Sequence, residues 1–232
     1  MKITLLLMTK KGLESLKAII LAFGSDIIDK VYTRDDTGVL NDYCEDIITV
    51  CYQNKIQCYR NFEAENIKID TEIAIAISWR WLIHSEKTII VLHDSLLPKY
   101  RGWNPLVTSL INGDMQIGVS AFIAEDGAVD DGEIILREST PISYPIKIEE
   151  VIDLIIPSYC KICLGIINGY SKDDSIDPLS MVLYESEVSY SMWRDEEDYV
   201  INWNQSAHDI INFVNAVGFR IWERFHTRTV IR

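Results

Sequence analysis

The chain has 232 residues, 48% of them hydrophobic, and a formal net charge of −13. That supplies a full core for one large domain, or one domain with a small appendage. The charge argues against a broad nucleic-acid footprint, which needs a basic face, and no apolar run reaches the length of a membrane span.

The opening run Ile3 to Met8 is too short for a signal peptide, so a cytoplasmic protein is expected. "KITLLLM" reads as a buried strand and "KGLESLKAIILAF" as an amphipathic helix. "DIIDKVYT" is a second strand, "NDYCEDIITVCYQN" a helix and "IQCYR" a short strand. "EIAIAIS" and "TIIVLH" are two further apolar strands. This alternation predicts an α/β fold: a Rossmann-like, mostly parallel sheet flanked by helices. The first loop, "MTKKG", lacks the glycine fingerprint of dinucleotide-binding sites, so no such cofactor is expected.

"NPLVTSLING" predicts a helix with Pro105 near its start and Gly113 after its end. "QIGVSAFIAED" and "EIILREST" read as two strands, followed by a helix over 148–168, interrupted or kinked near Pro157. The texture changes near residue 178. This predicts a main domain over 1–178 and a small C-terminal α+β appendage over 179–232. There "MVLYESEVSYSMW" and "DYVINW" look like an antiparallel unit, and "NQSAHDIINFVNAVG" like a capped helix ending at Gly218. Arg220, Arg224, Arg228 and Arg232 read as a solvated basic stripe.

The five cysteines are odd in number, which favours free thiols. "CKIC" falls inside a helical run, one turn apart on an apolar face, and lacks a second pair of zinc-binding type. Core packing is expected, and no metal.

The strand "TIIVLH" ends in His93 rather than in a turn-forming residue. In open parallel sheets ligands bind beyond the carboxyl ends of the strands, and imidazole is the side chain suited to moving protons near neutral pH. Position alone leaves a simple strand-end histidine as an equal reading.

The stretch "HDSLLPKYRGWNPLVTSLINGDMQIGVSAFIAEDGAVDDGEII" resembles the core of the formyltetrahydrofolate-dependent formyltransferases. The resembling pieces are His93 to Gly102, Ile111 to Gly113, Ile117 to Phe122 and Asp130 to Ile134. The segment "VINWNQSAHDIINFVNAVG" is similar to one that follows the catalytic domain there. The resemblance implies 10-formyltetrahydrofolate as the formyl donor. It implies His93 as the proton carrier between attacking amine and departing folate nitrogen, with Asp130 orienting the ring. It also implies a folate pocket near Trp79, Arg80, Trp81, Leu82, Ile83 and Asp126. The family pattern has Asn two places before the histidine; this chain has Val91. The oxyanion donor then falls to protonated His93, to Asn104, or to a main-chain N–H of the "DSLLP" loop. Asn104 also reads as a helix N-cap, which is the favoured reading.

Family members differ in their acceptor amine. The acidic chain and its "MWRDEEDYVINW" segment point away from tRNA and glycinamide ribonucleotide, toward an amino sugar linked to dTDP or UDP. Lys10, Lys99, Tyr100, Arg101 and Trp103, with Arg80, form the candidate substrate and phosphate set, an even choice against solvated surface charge. A homodimer through the small β unit is a further expectation. Two other readings stay open: a catalytically impaired binding protein, or a formyltransferase acting on another small amine.

Overall fold

The computed structural model describes residues 1–39, 41–61, 63, 66–83, 85–125, 130–173 and 187–224. The elements begin with β1 (Ile3–Leu7), α1 (Thr9–Phe23), β2 (Ile28–Thr33), α2 (Cys44–Gln53), β3 (Gln57–Arg60), β4 (Ile73–Ile77) and β5 (Thr88–His93). They continue with β6 (Arg101–Gly102), α3 (Pro105–Ile111), β7 (Gln116–Ile123), β8 (Ile134–Pro141), α4 (Ile148–Asp173), β9 (Tyr190–Ser191) and α5 (Ala207–Arg224). A seven-stranded sheet runs β3-β2-β1-β4-β5-β7-β8. Its first five strands are parallel; β7 runs antiparallel to both β5 and β8. The Rossmann-like, mostly parallel sheet is as the alternation of elements predicts.

The continuous apolar strands divide their residues between two cores. Leu5, Leu7, Ile75, Ile77, Ile90 and Leu92 share one core with Leu16 and Ile19 of α1, Ile47 of α2 and Ile155 of α4. The intervening residues Leu6, Tyr32, Ala74 and Ala76 form a second cluster, closed by Ile67, Ile69, Trp79 and Ile83 from loops. A period of two along each strand produces this division. Ile75 is fully buried in the central strand. Ile75→Ala is expected to cost about 2–5 kcal/mol, read as an earlier urea midpoint at unchanged slope.

Three expectations need correction. Helix α4 runs without interruption through Pro157. Its buried Val151, Ile155, Tyr159, Ile162 and Ile166 lie on both sides of the proline, and their burial outweighs one lost hydrogen bond. "DYVINW" forms no strand. Glu196–Tyr199 is a turn of 3-10 helix, closed by a reciprocal capping box between Asp195 and Asp198. The only strand of that region among the described residues, β9, pairs in parallel with β6, while residues 181–186 of the expected antiparallel unit lie outside the described residues. Helix α5 continues past Gly218 to Arg224. Its start is capped as expected, the Asp209 N–H donating to Ser206 Oγ at 3.1 Å. Asn212, Ala216 and Val217 are buried, and that packing offsets a mid-helix glycine costing about 1 kcal/mol.

The boundary near 178, Arg228 and Arg232 lie outside the described residues. Cys163 of the "CKIC" pair is buried in the main core, and burial pushes its thiol up to about 12. No helix among the described residues is long and apolar enough to cross a membrane.

Candidate active site

Strand β5 ends at His93, which is 8% exposed and pairs across the sheet with Ser120 of β7. His93 Nε2 lies 2.8 Å from the Tyr100 carbonyl oxygen. A carbonyl only accepts, so Nε2 carries the hydrogen and the lone pair of the neutral ring sits on Nδ1. Nδ1 faces Asp130 Oδ2 at 3.6 Å, ion-pair distance rather than a formed hydrogen bond. Asp130 has φ 48°, and its Oδ2 accepts the Gly102 N–H at 2.7 Å. The two expected partners therefore meet, and the ring nitrogen with the free lone pair is the one facing the carboxylate.

The loop after β5 is held against β7 and β8. Leu97 N–H donates to Ser120 Oγ at 2.9 Å, and that hydroxyl donates to the Ser95 carbonyl at 2.7 Å. Arg137 Nη1 donates to the Leu97 carbonyl at 2.7 Å. A Cβ on Gly118 would fall 2.3 Å from Leu96, so only glycine leaves room for that side chain. Further along, Tyr100 N–H donates to Ser189 Oγ and Arg101 N–H to the Ser189 carbonyl, both at 2.9 Å. Trp103 N–H donates to the Ser191 carbonyl at 2.7 Å. The carbonyl that fixes the His93 tautomer is thus anchored by a segment some 89 residues away. Sequence reasoning missed Ser120, Arg137 and Ser189, since a lone serine or arginine carries no local signal of such a partner.

This anchoring changes the oxyanion candidates. The loop N–H groups of Ser95, Leu97 and Lys99 already donate to His93 O, Ser120 Oγ and Leu96 O. Val91 packs against Leu97, Phe122 and Ile134, an apolar corner. Asn104 stands at the N-cap position of α3 with φ 52° and ψ 42°, yet its side chain makes no capping hydrogen bond. The favoured cap reading is corrected: a left-handed residue there turns its side chain away from the usual capping geometry.

The phosphate set is largely neutralised. Lys10 pairs with Asp153 of α4 at 2.6 Å, Arg80 with Asp36 at 2.6 Å, and Arg101 with Asp131. With carboxylates in excess, cations of the strand-end loops find partners within the protein. Among the described residues no hydrogen bond or ion pair links Lys10 or Arg80 to the His93 loop. Lys99 is exposed and lines a cavity of about 260 Å³ with Tyr100, Asp94, Ser109 and Asp114. Tyr100 donates its hydroxyl to Asp114 Oδ2 at 2.8 Å, and burial pushes its pKa up. Trp103 is half-exposed and meets Trp193 edge-on, ring centroids 5.1 Å apart.

Of the expected folate-pocket residues, Trp79 and Trp81 meet edge-on at 5.4 Å, and Arg34 lies 4.2 Å over the Trp81 ring. Trp79 and Ile83 pack on the second core, Leu82 is 82% exposed, and the Trp79 Nε1 is buried without a hydrogen-bond partner. Asp126 lies outside the described residues.

One unforeseen group lies behind His93. Lys11 Nζ of α1 is 2.5 Å from Asp94 Oδ2, and Tyr159 of α4 donates its hydroxyl to Asp94 Oδ1 at 2.6 Å. Burial works to raise the Asp94 pKa, but Lys11, the Tyr159 hydrogen bond and His93 outweigh it and leave the carboxyl below its ordinary range. Burial, with the Asp94 charge beside it, pushes Tyr159 far above the ordinary phenol value, so it acts as a donor only.

Fold and site together define an α/β protein with an imidazole–carboxylate pair at the carboxyl ends of its parallel strands. Residues 49–154, which include both groups, match the family model described as formyl transferase. A methionyl-tRNA formyltransferase from Synechocystis is 31% identical over 125 residues, covering 54% of this chain and 37% of the relative. The chain thus spans well under two thirds of the length of the curated relative it matches. The sugar 3N-formyl transferase WlaRD, solved with dTDP and 5-N-formyl-THF, overlays with TM-score 0.71 at 20% identity, covering 93% of this chain and 78% of that one. An N-formyltransferase from Helicobacter canadensis, in complex with folinic acid and dTDP-3-aminofucose, overlays with TM-score 0.72 at 18% identity, covering 93% and 80%. These overlays establish the formyltransferase fold.

Proposed function

We propose that this chain is a cytoplasmic N-formyltransferase moving a formyl group from 10-formyltetrahydrofolate to the amine of a dTDP- or UDP-linked amino sugar. The observation that carries the chemistry is the His93 ring, its Nε2 committed to Tyr100 and its Nδ1 turned to Asp130. The formyl folate supplies the electrophilic carbon. As the amine nitrogen bonds to it, His93 takes the amine proton at Nδ1 and returns it to the departing folate nitrogen; Asp130 stabilises the imidazolium between the two transfers. The loop of Trp79 to Ile83 offers aromatic and exposed apolar surface to a planar folate ring system. The extent of the overlays with sugar-acting enzymes supports a nucleotide sugar as acceptor. The negative charge of the chain supports it over tRNA, despite the tRNA-acting relatives.

The test is a panel of acceptors with 10-formyltetrahydrofolate: dTDP- and UDP-linked 4-amino-4,6-dideoxy sugars, glycinamide ribonucleotide and methionyl-tRNA. Tetrahydrofolate release and a formylated sugar by mass spectrometry are expected with a nucleotide sugar alone. Turnover confined to methionyl-tRNA or the ribonucleotide would replace the acceptor. The apolar corner around Val91 favours one second reading, a chain that binds the same ligands without turning them over. Calorimetric binding without product identifies it, and Val91→Asn is then expected to bring turnover.

A further inference from the structure

Lys11, Asp94 and Tyr159 come from three separate elements and meet beside the proton carrier, yet proton transfer as proposed uses none of them. Successive side chains at a strand end point to opposite faces. His93 therefore looks toward Asp130, and Asp94 toward α1 and α4. Lys11 and Asp94 retain only 11% and 19% side-chain exposure, and Tyr159 retains 1%. A buried ion pair of this kind adds little to stability over a well-packed apolar pair. Asp94 directly follows His93 in the chain, so the charges of this largely buried pair stand near the imidazole with little water to screen them.

We infer that Lys11 and Asp94 are positioning residues that set the proton affinity of His93: Lys11 neutralises Asp94, and the ring is left to respond mainly to Asp130. The other groups around the ring fit this assignment. Arg137, in the same cross-strand row through Ser120, is committed to the Leu97 carbonyl. Arg101 is paired with Asp131. The Tyr100 carbonyl holds Nε2, and Tyr159 donates to Asp94. Among the described residues, Lys11 and Asp94, which directly follows His93 in the chain, form a largely buried opposed pair whose halves act on the ring with opposite sign.

The inference rests on His93 being the proposed proton carrier, but it is read in the resting chain by NMR titration of the His93 ring. The chain has four histidines, and His93→Gln assigns the resonance. Lys11→Met leaves Asp94 uncompensated, which favours the imidazolium, and is expected to move the titration up by about one pH unit. Asp94→Asn leaves Lys11 uncompensated and is expected to move it down by about as much. The double variant Lys11→Met/Asp94→Asn, neutral again, is expected to titrate close to the parent. Tyr159→Phe keeps every charge but takes a hydrogen bond from Asp94, and a smaller upward movement is expected.

A structural role alone predicts shifts of one sign that grow in the double variant. That result, or an unmoved titration in the folded single variants, overturns the inference. If a single variant fails to fold, the double variant and Tyr159→Phe decide: a double variant displaced from the parent, or an unmoved Tyr159→Phe, counts against it. In the catalytic assay the acid limb of the kcat/KM profile is expected to follow the same two directions. Absence of turnover with any acceptor would sink the proposed function and leave the titration result standing.

Discussion

His93→Gln is expected to lower kcat for formyl transfer by roughly 10²–10⁴-fold with little change in KM. Glutamine is chosen because its amide can still donate to the Tyr100 carbonyl, which His93 Nε2 approaches at 2.8 Å. What it lacks is the basic nitrogen facing Asp130. The amine must shed a proton as it attacks, and no other imidazole stands in the site described. His93→Ala removes the loop anchor as well, and is expected to match or exceed the glutamine loss. Steady-state kinetics with saturating acceptor make the measurement, and turnover within a few-fold of the parent in His93→Gln would refute the assignment. Asp130→Asn is expected to do less, because it leaves the base in place and removes only the charge that steadies its protonated form.

Gly102→Ala is expected to cost about 1–3 kcal/mol in stability and roughly a hundredfold in turnover. Gly102 has φ 97°, and a Cβ there would stand 2.6 Å from the Ser191 carbonyl oxygen. That backbone atom belongs to β9 and has no flexible end to swing aside. Relief of the clash must open the β6–β9 pairing, and with it the Trp103 N–H bond to Ser191. The Gly102 N–H that holds Asp130 and the Tyr100 carbonyl that holds His93 lie on the same few residues. Both ends of the proton-transfer pair then lose their alignment together. A thermal melt and kinetics on the same sample separate the effects. A lowered Tm with unchanged kcat would mean the loop geometry does not govern the chemistry.

Much of the fold was legible because its signals are local. Strands β1, β4 and β5 are mostly apolar runs between polar breaks, and α1 and α2 carry apolar residues at helical spacing. Those patterns survive in the structure because burial on both sides of the sheet rewards them. The failures share a cause too. Pro157 and Gly218 are helix breakers by local propensity, and tertiary packing overrode both. "DYVINW" has the composition of a strand, but the acidic residues before it cap a helical turn instead. For Lys10, Arg80 and Arg101 the sequence shows charge without partners; folding adds Asp153, Asp36 and Asp131 beside them.

By itself the sequence determined that the chain builds a mostly parallel α/β sheet, that His93 ends one of its strands, and that Asp130 follows in the turn between two later strands. Period and spacing carry that information, since a strand's end and a turn's position depend on nearest neighbours. Only the tertiary structure decided which ring nitrogen of His93 is free, that the Ser95 and Leu97 N–H groups of the "DSLLP" loop are already committed, and that Lys11 and Tyr159 meet Asp94 behind the site. The Asp94 contacts join residues 83 and 65 positions apart at 2.5 and 2.6 Å, and the Tyr100 carbonyl beside His93 belongs to a loop anchored from Ser189. The hydrogen bonds and charges involved fall off too steeply with distance to leave a mark on local sequence pattern.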